Sequence, residues 1–208
     1  AIPLHEAAHA WAAWQLGDDT AKRLGRLSFN PVRHVDPIGT LALPGFLLLV
    51  GAPFLFGWAK PVPVAFHRLG NPKRDMIFVA LAGSVINIAM ALLGAAALHL
   101  VAGAQSDLGL WIWQNLDHAL LINVILACFN MLPLLPLDGG RVLAGLLPRP
   151  LAARYARTEP YGLFILLGVI FILPLVAREL GYAVNPLAAV LLPIVQAVHS
   201  AVLTLTGW

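Results

Sequence analysis

Apolar residues run along this chain in long stretches, which short polar or proline- and glycine-rich segments separate. A membrane-spanning helix needs about 20 mostly apolar residues. Stretches near or above that length lie at 75–101, 118–147, 161–177 and 186–206. A helical pattern over residues 1–16 precedes them and ends at Gly17-Asp18-Asp19, which is a turn signal. The pattern therefore predicts about five spanning helices.

The segment after the first helix follows a different pattern. Leu27 and Phe29 alternate with Arg26 and Ser28, and Asn-Pro and Asp-Pro pairs punctuate residues 25–39. Alternation with a period of two, bounded by turn residues, predicts a short strand or β-hairpin. Residues 60–64, KPVPV, cannot lie inside a helix because the two prolines lack N–H donors, so we expect a loop or an edge strand there.

Residues 38–57 are apolar and long enough to span, but Pro44, Gly45, Gly51 and Pro53 interrupt them. Cytoplasmic loops carry an excess of Lys and Arg, and basic residues flank this stretch on both sides. A single crossing would put one basic flank outside, so we expect a re-entrant hairpin in preference to a sixth span. The connection at 102–117 has no Lys or Arg and is predicted to lie outside.

Composition agrees with a membrane protein. Hydrophobic residues make up 60% of the 208 residues and charged residues only 11%, so the chain is far more apolar than a soluble domain. The net charge of +3 is small and its basic residues lie in short loops, which argues against nucleic-acid binding. The single cysteine, Cys128, excludes an intrachain disulfide framework and a cysteine-rich metal site. We expect an all-α integral membrane protein, a polytopic helical bundle with one short β-hairpin.

The first helix carries the chemistry in the sequence HEAAH. His5 and His9 are four residues apart, so on a helix they share one face and can offer two imidazole nitrogens to one cation. Glu6 is rotated about 100° from His5, where it can reach a metal-activated water without being a ligand. H-E-x-x-H is the zinc-protease pattern, although a chance match stays open from the motif alone. Ionisable groups in an apolar segment are costly and usually functional, which favours a metal site.

A catalytic zinc needs a third protein ligand. The candidates are His34, Asp36, His67, His99, His118, Asp138 and His199. Asp138 differs from the others because it follows an apolar run that Pro133 and Pro136 break, and Gly139-Gly140 follow it. A helix cap or turn at the cytoplasmic end is the alternative explanation for this carboxylate.

HEAAH followed far downstream by NMLPLLPLDGG resembles the site-2 protease family of intramembrane zinc metalloproteases. The segments GRLSFNPVRHVDPIGT, GWAKPVPV and Ala82-Gly83-x-x-x-Asn87 fit the same family, and the resemblance covers roughly residues 1–150. It implies one catalytic Zn²⁺ held by His5, His9 and Asp138, with Glu6 as the general base. Asn87 and Asn130 match family positions that contact substrate backbone or the developing oxyanion; interhelical hydrogen bonding is the alternative for both.

The resemblance also implies the function and its setting. We expect one membrane-embedded metalloprotease domain over residues 1–208, with a catalytic core at 1–150 and two further spans at 151–208. It would cleave transmembrane protein substrates in a prokaryotic plasma membrane, in regulated intramembrane proteolysis, with its active site toward the cytoplasm. A minimal member is expected, without a PDZ-like or nucleotide-sensing domain.

Three points stay open at this stage. A catalytically silent zinc-binding scaffold would share the same ligands, whereas a transporter is disfavoured because no paired inverted halves are apparent. Four residues before His5 cannot complete a span, so we expect an upstream segment. The sequence does not indicate an oligomeric state.

The re-entrant hairpin predicts where cysteines placed on its two basic flanks react. In a Cys128→Ala background, Arg26→Cys and Lys73→Cys should both react with a membrane-impermeant maleimide from the cytoplasmic face. Reaction of the two from opposite faces of the membrane would contradict the hairpin.

Overall fold

The computed structural model describes residues 1–51, 57, 59–181 and 185–208, and these residues form helices and turns without a β-strand. The α-helices are α1 (Ile2–Gln15), α2 (Thr20–Arg23), α3 (Leu43–Leu49), α4 (Pro72–Leu98), α5 (Asp107–Asn130), α6 (Asp138–Leu146), α7 (Arg149–Ala156), α8 (Glu159–Leu167), α9 (Leu173–Glu179) and α10 (Pro186–Thr206). Short 3₁₀ helices lie at Pro31–His34, Phe66–Arg68 and His99–Val101, and wider π-helical turns at Pro37–Ala42 and Gly168–Ile172. The all-helical prediction is confirmed.

Four helices of the described chain are long and apolar enough to cross a membrane. They are Pro72–Val101, Asp107–Asn130, Glu159–Glu179 and Pro186–Thr206. The second begins eleven residues before the predicted start at His118, so most of the predicted outside connection at 102–117 is helix. Ser106 caps this helix by accepting a hydrogen bond from the Gly109 N–H. α1 has 14 residues, fewer than a span needs.

The predicted strand or hairpin at 25–39 is wrong. Asn30 accepts the Val32 N–H and Pro31 fixes the first position of a 3₁₀ turn, so the chain coils where alternation suggested extension. Asp36 then accepts the N–H groups of Ile38 and Gly39 and starts the next helical turn. Local side-chain caps thus satisfy backbone groups that a strand would have paired.

Within the apolar segment at 38–57, the described residues are helical as far as Leu49. Pro37–Leu49 is a short apolar helix of 13 residues, about 20 Å long at 1.5 Å per residue, against a hydrocarbon core of about 30 Å. Gly51 then turns the chain with φ +64°, a left-handed conformation that glycine adopts without strain. The return limb of the proposed hairpin lies largely at 52–56, outside the described residues, so the hairpin stays a prediction.

The described chain divides into two compact units. One is Ile2–Gly83 and the other is Ser84–Trp208 together with Ala1. In the first unit a small apolar cluster joins α1 to the start of α4 and the loop before it, through Ala12, Ala13, Leu69 and Val79. The predicted division into a single domain with a core at 1–150 stays a prediction.

Buried Asp18 anchors the loop that precedes α4. Its carboxylate accepts hydrogen bonds from the Thr20 hydroxyl and N–H and from the Ala65 N–H. Burial alone would raise the pKa of Asp18, but these hydrogen bonds, with Arg68 nearby, outweigh it and hold the pKa below its usual value. A lowered pKa means that this carboxylate stabilises the fold at neutral pH and loses that contribution as the pH falls through the folded-state pKa.

The second unit is built around the C-terminal part of α4, α5 and α10. Its buried core is Ala91, Ala95, Leu98, Leu120, Val124, Cys128, Val195 and Val202. Alanines let helix backbones approach closely, which is how helices associate where lipid leaves no hydrophobic gain. Large apolar side chains such as Phe164 and Leu205 are exposed, as expected of surfaces that face lipid.

A glycine fixes α8 against the turn that follows α5. A β-carbon at Gly162 would lie 1.8 Å from the carbonyl oxygen of Leu135 and 2.9 Å from Cδ of Pro136. Since the nearest atom is backbone, the helix and the turn would have to separate to admit a methyl group. We therefore expect Gly162→Ala to destabilise the protein by about 1–3 kcal/mol, measured as a lower melting temperature in detergent.

Gly168→Ala is the matched control, because no atom lies within 4 Å of its β-carbon position. It should leave the melting temperature unchanged or raise it slightly through better helix propensity. Equal melting temperatures for the two variants would contradict the proposed close packing at Gly162.

Candidate active site

His5 and His9 face each other across one turn of α1. Their Nε2 atoms are 3.0 Å apart, and the rings meet edge to face with centroids 4.6 Å apart. His5 is 6% exposed, although two ionisable side chains on one face of a helix would ordinarily point to water. Both residues lie in the first unit, and their contact confirms the prediction that they share one face of a helix.

A backbone carbonyl orients the His9 ring. Nδ1 of His9 lies 2.7 Å from the carbonyl oxygen of Val79 on α4. A carbonyl can only accept, so Nδ1 carries the proton and Nε2 keeps its lone pair for another partner. Metal-ligating histidines are held in this way, with the non-ligating nitrogen donating to a carbonyl or carboxylate.

The space between the two rings fits a metal ion. Two nitrogens bound tetrahedrally to one zinc at about 2.0–2.1 Å stand about 3.3 Å apart, close to the observed 3.0 Å between the Nε2 atoms. Gly83 of α4 borders this space and fills none of it, because it has no side chain; a β-carbon there would lie 2.5 Å from Nε2 of His9. The donor set and the cradle together suit zinc.

Glu6 is held by the proline-rich loop. Its Oε2 accepts a hydrogen bond of 2.7 Å from the N–H of Val62. Pro61 and Pro63 have no N–H, so Val62 supplies the only backbone donor of this tripeptide. The loop thus fixes the carboxylate one residue from His5. Residues 60–64 form no strand, so the loop that the sequence offered as one of two alternatives is the one observed.

Asp138 is the first residue of α6, in the second unit. Gly139 and Gly140 after it press directly on the preceding turn: β-carbons there would lie 2.1 Å from the Met131 carbonyl oxygen and 2.5 Å from the Leu135 nitrogen. α5 ends at Asn130, and a turn that contains Pro133 and Pro136 leads from it to the half-buried Asp138. Its role as a metal ligand stays a prediction.

The two predicted asparagines differ in their surroundings. Asn87, on α4, is 0% exposed, and neither polar atom of its amide has a hydrogen-bond partner within the described residues. Asn130 ends α5 and is half-buried. An amide buried without partners is costly, so Asn87 retains hydrogen-bonding capacity for a group the described chain does not supply.

Most of the other candidate ligands have structural roles or stand exposed. His34 is buried, and its Nε2 lies 2.8 Å from the Ser28 carbonyl oxygen. Asp36 caps a helical turn, and His99 stacks on Trp208. His67 and His118 are exposed and His199 is half-buried.

Sequence reasoning missed two residues of interest. Val62 was assigned only to a loop or edge strand, although its position between two prolines marks it as that segment's one donor. Asn123 of α5 is buried, and its Oδ1 has no hydrogen-bond partner among the described residues. The sequence feature that could have identified Asn123 is a single asparagine within an apolar stretch, as at Asn87.

Comparison with known proteins places this chain in a family. A model of peptidase family M50 matches residues 99–173. The Bacillus subtilis protein named "Putative zinc metalloprotease YwhC" is 39% identical over 176 residues, which cover 83% of this chain and 76% of that protein. The chain belongs to peptidase family M50, the site-2 protease family. Rip2 of Mycobacterium tuberculosis strain H37Rv, with the same description in its name, is 30% identical over 171 residues, or 82% of this chain and 63% of Rip2.

Membership of family M50 confirms the resemblance drawn from HEAAH and NMLPLLPLDGG. Together with the four apolar helices it identifies the chain as a membrane protein. No solved structure matches this M50 chain.

The role of the hydrogen bond from the Val62 N–H to Glu6 can be tested by substitution in this M50 chain. Val62→Pro removes the N–H donor, so Glu6 loses the bond that orients its carboxylate. We expect proteolytic kcat to fall about tenfold or more while zinc content stays unchanged, measured on a transmembrane substrate and by metal analysis.

Val62→Ala is the matched control, because it shortens the side chain and keeps the N–H. It should retain most of the activity. If Val62→Ala and Val62→Pro lose activity equally, the side chain and not the hydrogen bond is what matters.

Proposed function

We propose that this chain is an intramembrane zinc metalloprotease that hydrolyses peptide bonds within or near transmembrane segments of membrane proteins. The observation that carries the proposal is the paired Nε2 atoms of His5 and His9, with His9 oriented by a carbonyl and Glu6 fixed beside them. Similarity to relatives named as zinc metalloproteases supports the same chemistry.

One zinc ion is proposed, with His5, His9 and Asp138 as its protein ligands. Two imidazoles and one carboxylate make the ligand set of a catalytic zinc, which leaves one position open. Support for Asp138 comes from the family motif LDGG, and from the alternative uses of His34, Asp36 and His99 described above. When bound, zinc polarises the scissile carbonyl and lowers the pKa of a water to about 7.

Glu6 is the proposed general base. As the carboxylate adjacent to His5, it accepts a proton from the attacking water and passes it to the leaving amine. The Val62 N–H holds one carboxylate oxygen, which leaves the other oxygen for the proton transfer. His9 stays in one tautomer throughout, because its Nδ1 proton is committed to Val79.

Asn87 and Asn130 are proposed to steady the substrate or the developing oxyanion. A transmembrane peptide bond is shielded by its own helix, so the protease has to hold the substrate unwound and supply replacement hydrogen bonds. The unpartnered amide of Asn87 has the donor and the acceptor for that purpose.

The proposed setting is a prokaryotic plasma membrane, with transmembrane proteins as substrates in regulated intramembrane proteolysis. Basic residues flanking the apolar helices support an active site on the cytoplasmic side.

Two carboxylate substitutions separate the proposed roles. Glu6→Gln should retain zinc and lose cleavage of a transmembrane substrate by a factor of about 10²–10⁴, since it removes the base and spares the ligands. Asp138→Ala should lose both zinc and cleavage. Zinc content by metal analysis and cleavage in detergent or liposomes give the two readouts.

Asp107→Ala is the control, because it removes an exposed carboxylate at the start of α5. It should behave as the unmodified protein.

Two outcomes would contradict the proposed roles. If the unmodified protein binds zinc but shows no cleavage that a chelator abolishes, the result favours the catalytically silent scaffold. If Asp138→Ala keeps full zinc occupancy, Asp138 is not a ligand.

A further inference from the structure

Gly83 lies where α4 passes the metal-binding face of α1. A β-carbon at this position would be 2.4 Å from Cε1 of His5, 2.5 Å from Nε2 of His9 and 2.6 Å from Cε1 of His9. Carbon and nitrogen atoms that are not bonded do not approach this closely. The missing side chain therefore leaves room for both imidazoles at once.

The crowding would fall on the rings and not on the backbone. All three of the nearest atoms belong to side chains, and one is the nitrogen that would bind the metal. A methyl group at Gly83 would therefore move the ligand atoms or occupy the space between them, while the helices could keep their positions.

His9 has no easy way to move aside. Its Nδ1 bonds to the carbonyl of Val79, four residues before Gly83 on the same helix. In an α-helix the Val79 carbonyl also accepts the N–H of residue 83, so Val79 and Gly83 are one turn apart. Val79 therefore holds Nδ1 of the His9 ring, and Gly83 borders the side of the ring that carries Nε2. Rotating His9 away from a new methyl group would break its bond to Val79.

Helix propensity does not account for a glycine here. Glycine inside a helix costs about 1 kcal/mol relative to alanine. Gly94, farther along α4, has ordinary contacts only, with its nearest atom, the Leu116 carbonyl oxygen, at 3.7 Å from the β-carbon position. The two glycines share one helix and differ in what they face.

We propose that Gly83 is a positioning residue for the metal centre: the absence of its side chain sets the separation of the His5 and His9 Nε2 atoms and thereby the affinity for zinc. The inference rests on the proposed zinc site. It adds a determinant outside the ligand set, supplied by a second helix.

Gly83→Ala and Gly94→Ala are compared by zinc titration of the metal-free protein against a chromophoric chelator. Gly94→Ala should bind zinc within about twofold of the unmodified protein. Gly83→Ala should bind at least tenfold more weakly, and its Co²⁺ complex should show shifted or weakened d–d absorption bands because the ligand nitrogens have moved. Equal affinities and equal cobalt spectra for Gly83→Ala and the unmodified protein would overturn the inference.

Thermal stability separates a metal-site role from simple packing. Zinc should raise the melting temperature of the unmodified protein and of Gly94→Ala, and should raise that of Gly83→Ala much less. In a His5→Ala, His9→Ala background the rings are gone, so adding Gly83→Ala should cost no stability. A loss of folding that persists in that background would show a backbone packing role and contradict the proposal.

The outcomes also distinguish this inference from the proposed function. If the unmodified protein binds no zinc, the zinc protease fails as a whole. If it binds zinc and Gly83→Ala binds equally well, only the role of Gly83 fails.

Discussion

The polar side chains of α1 depend on backbone groups of the segment that follows them. His9 gives its Nδ1 proton to the Val79 carbonyl, and Glu6 takes the Val62 N–H. Polar groups buried away from water are stable only when they have partners, and in an apolar helix few side chains can serve. The loop and the start of α4 provide these partners, with Asp18 fixing the loop at Ala65. Two polar residues of one short helix, His9 and Glu6, and Asp18 in the turn after it therefore tie the N-terminal unit together through backbone groups.

Glycines perform the complementary task, letting backbone approach where no side chain would fit. Gly83 admits two imidazoles, whereas Gly139, Gly140 and Gly162 admit carbonyls and amide nitrogens of the turn at 131–135. A turn so tightly enclosed has little freedom, and it fixes the first residue of α6, Asp138. The position of the carboxylate at the start of α6 therefore depends in part on side chains that are absent from its neighbours.

Hydrophobic length and the HEAAH spacing predicted most of the spans and the histidine pair, because these features repeat with the helix itself. The start of α5 was missed because residues 107–117 mix tryptophans with Gln114, Asn115 and Asp117, which resembles an extramembrane loop. The strand at 25–39 failed because alternation over a few residues is weaker than the caps at Asn30 and Asp36. The roles of Val62 and Gly83 depend on which segments pack beside α1, and no local sequence pattern contains that information.

α4 and α5 each bury an asparagine amide within an otherwise apolar helix. Asn123 donates from Nδ2 to the carbonyl of Ala119 one turn earlier, yet its Oδ1 has no partner among the described residues, and Asn87 lacks one for either atom. Ser84 of α4 bonds to the Ala127 carbonyl of α5, so the two antiparallel helices bring positions 87 and 123 to a similar depth. An unsatisfied buried amide costs about 1–3 kcal/mol in proteins, a cost that water or an unwound peptide backbone reaching this depth would offset. The two helices therefore bury amides whose remaining hydrogen-bonding capacity is open to water or to an unwound peptide backbone.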